Sequence, residues 1–197
     1  FNGDISNWNT AKVTTMEGML ESAQKFNGNI SNWDTKSVTN MKHMFKGALK
    51  FNGTITNWNT AKVTDMCSMF AYAQEFNQNI STREDLWNTS AVTDMQFMFF
   101  NASDFNQDIT NWDTSSVSNM ERMFSRATSF NQNIKTDGDC WNTSAVTNMK
   151  ATFEYASAFD ADIATWDTSN VTDMYLIFSG ADALKDKTTA IFNTWKI

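Results

Sequence analysis

The side chains suited to chemistry fall in a few places along the chain. Two insertions, Ser81-Thr82-Arg83-Glu84-Asp85-Leu86 and Lys135-Thr136-Asp137-Gly138-Asp139-Cys140, carry Arg83, Glu84, Asp85, Asp137 and Asp139. Adjacent carboxylates such as Glu84 and Asp85 make a poor glycosidase pair, because neighbouring side chains rarely converge across a substrate. Charged, variable loop residues suit binding better, and these five are the candidate binding residues. The competing reading is that they are solvated loops. A column of Asn9, Asp34, Asn59, Asn88, Asp113, Asn142 and Asp167 supplies oxygen ligands of the kind calcium takes. Only three of the seven are charged. Asx turns explain the column more simply.

Twelve methionines in paired columns suggest soft-metal chemistry, but their spacing fits core packing. The single histidine, His43, lies between Met41 and Met44 with no cysteine beside it, so no zinc site is expected. There is no Ser-His-Asp set and no phosphate-binding glycine loop. The expectation is a non-enzyme with no catalytic residue, no metal ligand and no cofactor. Cys67 and Cys140 stand three repeats apart. At about 4.8 Å per stacked unit they are at least ~14 Å apart, beyond the ~7 Å that a disulfide spans. Two free thiols are expected.

What must position these residues is an internal repeat. Units begin at Phe1, Phe26, Phe51, Phe76, Phe105, Phe130 and Phe159, with a partial unit from Leu184. Each reads Phe-Asn, an Ile, a Trp, Asx-Thr, and then a stretch typified by Val38-Thr39-Asn40-Met41-Lys42-His43-Met44-Phe45-Lys46-Gly47-Ala48. Val38, Met41, Met44, Phe45 and Ala48 fall at the spacing of one helix face, which predicts about ten residues of helix per unit. Thr14, Thr39, Thr64, Thr93, Ser118, Thr147 and Thr172 sit where N-caps belong. The Ile-to-Thr segment predicts a short parallel strand. The fold class expected is therefore an α/β repeat solenoid of about eight coils, each a short strand plus a short helix, forming one domain over residues 1–197.

The Trp, Ile, Phe and Met columns predict a shared core, because one unit alone buries too little to fold. Asn2, Asn27, Asn52, Asn77, Asn106 and Asn131, ending in Asp160, predict an amide ladder between coils. The Thr10-type column also reads as structural. The extra residues fall between Ile and Trp in units four, six and eight, so alternate coils should bulge on one side, a face that in repeat proteins often binds. Thr188-Thr189-Ala190-Ile191-Phe192 departs from the pattern and is expected to close one end. The chain begins at Phe1 rather than Met, which suggests a piece of a longer protein and possible end-to-end self-association.

Composition narrows the function classes. Of the 197 residues 41% are apolar and 14% aromatic, with no proline, so the chain is expected to be ordered and its turns to rest on Asn, Asp and Ser. The net charge of −7 is thinly spread, which argues against a nucleic-acid partner. No apolar run approaches a membrane span.

The unit Phe-Asn-x-x-Ile-x-x-Trp-Asx-Thr-x-x-Val-Thr-x-Met-x-x-Met-Phe-x-x-Ala resembles the bacterial surface-protein repeat grouped with BspA-like leucine-rich repeats and common in mycoplasmal lipoproteins. The resemblance covers nearly the whole chain. It implies a right-handed leucine-rich-repeat-like solenoid, an extracellular or cell-surface location, and adhesion to a protein or glycan without catalysis. It supplies no catalytic motif. Thr152 and Ile177 depart from it, standing where other units have Met. Other readings are a regular-surface binder of ice or mineral, which needs the Thr10 column exposed, a calcium-binding solenoid, and a passive spacer.

Overall fold

The computed structural model describes residues 1–136 and 140–195. Successive units stack in register, and each is a chain of tight turns. In the second unit, backbone N–H groups donate three residues back at Trp33 to Ile30, Val38 to Thr35, Met44 to Met41, Lys46 to His43, Ala48 to Phe45 and Phe51 to Ala48. The amides between them bond to the next unit. Met41, His43, Phe45 and Gly47 donate to the carbonyls of Asp65, Cys67, Met69 and Ala71 at 2.7 to 3.0 Å. The fourth unit repeats this, with Met95, Phe97, Phe99 and Asn101 donating to Asn119, Glu121, Met123 and Ser125.

This overturns the expected α/β solenoid of strand-plus-helix coils, and with it the leucine-rich-repeat likeness. Among the described residues the one α-helix, α1, spans Thr188–Thr194, and a single 3-10 turn spans Asp182–Leu184. No strand forms. Isolated parallel bridges, one residue wide, join Thr15, Asn40, Asp65, Asp94, Asn119, Asn148 and Asp173 in sequence.

The reason for the missing helices is geometric. Phe45, Phe70, Phe99, Phe124 and Phe153 stack with ring centroids 5.5 to 5.7 Å apart. Packed helices need about 8–10 Å between axes, so a helix in every unit does not fit at this rise. The apolar spacing of Val38, Met41, Met44, Phe45 and Ala48 is met equally by a chain that reverses every three residues. Such turns demand left-handed residues. Two positions per unit have positive φ, His43 (58°) and Gly47 (73°) in the second unit, Ser68 (55°) and Tyr72 (61°) in the third, Phe97 (57°) and Asn101 (56°) in the fourth. The Thr39-type residues are not N-caps. Thr39, Thr64, Thr93, Ser118, Thr147 and Thr172 each donate backbone and hydroxyl groups to the carbonyl one unit back.

The core runs through the stack as columns. One ring column joins Phe26, Phe51, Phe76, Phe105, Phe130 and Phe159 at 5.9 to 6.0 Å. It lies 3.9 Å from the Phe45-type column at Phe45 and Phe51. Each tryptophan from Trp33 onward buries its ring and donates its indole N–H to the Ile carbonyl one unit back, for example Trp112 to Ile80 at 2.9 Å. The Thr10-type hydroxyls are buried, from Thr10 to Thr143, and donate one unit ahead, as Thr35 does to the Asn59 carbonyl. The Asn column forms the predicted ladder. Each side-chain carbonyl accepts the backbone N–H of the same position one unit on, from Asn2 to Asn27 through Asn131 to Asp160. α1 occupies the long spacing of the last unit and sets Phe192 and Trp195 against the Phe178 ring.

Candidate functional site

The constant residues are committed to the stack, so the candidate binding residues are those that change from unit to unit. These gather on the face made by the left-handed turns. There the second unit presents His43 and Lys46, the third Tyr72 over the buried Ser68 and Ala71, the fourth Phe97, Phe100 and Asn101, and the fifth Arg122 and Arg126 over the buried Ser125. The interunit hydrogen bonds set these residues side by side.

At the centre of this face is an open cleft of about 250 Å³ lined by Lys46, Ser68, Ala71, Tyr72, Phe97 and Phe100. Tyr72 meets Phe100 edge-on at 5.1 Å and 80°. Phe97 meets Phe100 likewise at 5.5 Å and 75°. Tyr72 is exposed, and both phenylalanines are half-exposed. A bulky side chain in the left-handed region costs about 1–2 kcal/mol, yet Tyr72 and Phe97 both occupy it where other units place Gly18, Ser22 or Gly47. The same two positions are left-handed in each unit, from Gly18 and Ser22 to Leu176 and Gly180, so the repeat's turns impose this conformation whatever the side chain.

The rest of the face is polar. Lys46 pairs with Glu21 at 3.1 Å. Arg122 pairs with the nearly buried carboxylate of Glu154 at 2.6 Å, which also accepts from Ser125 at 3.2 Å. Arg126 lies over the Tyr155 ring at 4.8 Å. His43 is half-buried. Burial, then the Lys46 charge, holds its pKa below the ordinary imidazole range. Burial pushes the Cys67 thiol up, which leaves it protonated and weakly reactive. Burial also raises Asp94, with the Asp65 charge adding to it and a hydrogen bond from the Gln96 backbone opposing it.

The predicted binding residues lie elsewhere. Arg83, Glu84 and Asp85 are exposed together on one tight hairpin, closed by Arg83 and Leu86 exchanging backbone hydrogen bonds at 2.9 and 2.8 Å. The hairpin is held to its neighbours by Thr60 donating to the Asp85 carbonyl and by Thr82 bonding Asn111. Asp137 and Asp139 lie outside the described residues. Each Asx-column residue accepts the backbone N–H two positions on, as Asn9 does from Ala11 and Asp113 from Ser115. That is the Asx-turn reading, and among the described residues no three His, Cys, Asp or Glu side chains group as a metal site. The regular-surface reading required an exposed Thr10 column, and that column is buried. Both cysteines are free. No helix among the described residues is long and apolar enough to cross a membrane.

The turn face was missed because only the insertions were treated as variable. The usable signal was the column holding His43, Ser68, Phe97 and Arg122, which keeps no residue type from unit to unit. No curated protein and no solved structure matches the chain. A family model described as "Mycoplasma protein of unknown function, DUF285" matches residues 1–85 and again 82–191. This fits the mycoplasmal side of the resemblance and gives no support to its BspA-like side. With nearly its whole length matched in two successive copies, the chain belongs to the DUF285 family of Mycoplasma proteins of unknown function.

Proposed function

We propose that this chain is a non-catalytic, extracellular surface repeat module that mediates adhesion by binding a protein or glycan. The observation that carries the reading is the division of labour within each unit. Constant Phe, Ile, Trp, Asn and Thr residues are spent on interunit stacking and hydrogen bonds, while the turn face carries unlike aromatic and charged residues in neighbouring units. Tyr72 and Phe97 place solvent-accessible aromatic surface at turns where other units have Gly18, Ser22 or Gly47. Many modest contacts across several units would supply affinity in the way extended repeat surfaces do. The exposed Arg83–Asp85 hairpin is a second contact point of the same kind.

The test is binding of the chain to a panel of matrix proteins, glycans and whole cells, with and without calcium. Calcium-independent binding to one class is expected. A cooperatively melting chain that binds no member of the panel would refute the adhesion reading and leave a passive spacer.

A further inference from the structure

We propose that the Tyr72–Phe97–Phe100 cleft is the docking site for a protein partner that presents one large apolar side chain flanked by carboxylates. The inference rests on the adhesion reading and narrows it to one surface and one chemistry.

Three observations carry it. First, the cleft is open and lined by aromatic rings that meet edge-to-face. An aromatic cleft of this size takes a side chain from a partner, the usual form of an interface anchor. Second, the lining supplies three polar side-chain groups, the Tyr72 phenol, the Lys46 ammonium and the largely buried Ser68 hydroxyl. A sugar ring brings several hydroxyls that would lose water there without replacement partners, so the lining favours an apolar side chain over a glycan. Third, three cations border the cleft along the face; Lys46 and Arg122 already pair with Glu21 and Glu154, and Arg126 does not pair with a carboxylate among the described residues. Lys46 stands on one side and Arg122 and Arg126 on the other, and at the turn-face positions of units two to five no carboxylate appears. Glu21 and Glu154 belong to the first and sixth units. Arg126 rests on the Tyr155 ring. Acidic residues beside the inserted side chain would meet Arg126 and share the Lys46 ammonium with Glu21, giving complementarity and register.

The strained backbone offers a clean test. Glycine adopts positive φ without penalty, so Tyr72→Gly with Phe97→Gly removes two rings of the cleft while suiting the turns. The full chain is used to select from a library of random linear peptides, and the best peptide is synthesised. The expected sequences carry Trp, Phe, Leu or Ile between Asp or Glu residues. The double glycine variant should lose at least about tenfold in affinity with its melting temperature held or raised. Lys46→Glu should weaken binding severalfold, more at low salt than at high, and Tyr175→Ser, three units beyond the cleft's edge, should leave it unchanged. Failure to enrich any such pattern, equal binding by the double variant, or competition by acidic oligosaccharides in place of peptides would overturn the proposal. The matrix and cell panel separates the two readings. Panel binding without peptide selection overturns the cleft alone, and peptide selection without panel binding removes adhesion and leaves the cleft.

Discussion

Replacing Gly47 with alanine separates a turn from a helix by the sign of a stability change. Gly47 holds φ at +73°, and a Cβ added there meets nothing closer than the Ser22 Cα at 3.5 Å, an ordinary contact. Packing therefore contributes little and the backbone decides. The left-handed conformation costs alanine about 1–2 kcal/mol. Alanine also narrows the unfolded ensemble, which returns about 0.4–1 kcal/mol. The net expectation is destabilisation of about 0.8 kcal/mol, from a range of about 0–1.6 kcal/mol. Inside a helix the same substitution would stabilise by about 0.8–1 kcal/mol. Urea unfolding followed by tryptophan fluorescence reads the difference as a shift in midpoint at constant slope. A midpoint that moves upward would refute the turn assignment for the whole Val38–Ala48 stretch.

Three further outcomes follow from individual side chains. Thr114→Val should cost about 1–3 kcal/mol despite equal size, because the Thr114 hydroxyl both donates to the Asn142 carbonyl and accepts the Asn142 N–H at 2.8 Å; unchanged urea stability would dismiss the column as a structural tie. Asp94→Asn should stabilise by about 0.5 kcal/mol at neutral pH, since asparagine stands at the equivalent Asn119 and keeps the same turn hydrogen bond. Asp94 has a raised pKa, so its ionised form disfavours the fold above that pKa, and the variant's advantage should vanish as pH falls toward 3.8; an advantage that persists in acid would contradict the burial argument. His43 has a lowered pKa, so the unfolded chain takes up the proton first as pH drops below 6.5, and stability should decline there. His43→Asn should flatten that part of the pH–stability curve, and an unaltered curve would assign the decline to other groups.

The units were legible in the sequence because the Phe, Ile and Trp columns that mark them are the ones buried between neighbours. The Asn ladder, the Asx turns and the two free cysteines were legible for a similar reason, since each depends on residue type and spacing alone. The local backbone was not legible. The spacing of Met41, Met44, Phe45 and Ala48 reports which side faces the core, and helices and successive turns share it. The distinguishing feature is the sign of φ at two positions per unit, and residue type betrays it only at Gly18, Gly47 and Gly180. Ser68, Arg122 and Leu176 adopt the same conformation without any compositional mark, because ring stacking and interunit hydrogen bonds impose it. The candidate site suffered in turn. A helix turns Tyr72 and Phe97 into separate surface residues, whereas consecutive turns bring both against Phe100.

The sign of φ is also where the account is most directly open to measurement. Backbone coupling constants and cross-correlated relaxation, recorded by NMR on the isotopically labelled chain, report it at Ser68, Phe97 and Arg122 one residue at a time. The structure predicts positive φ at all three, near 55°, 57° and 52°. Negative values near −60° at these residues, with amide hydrogen bonds four residues back, would restore the helix in each unit and contradict both the turn architecture and the cleft built on it.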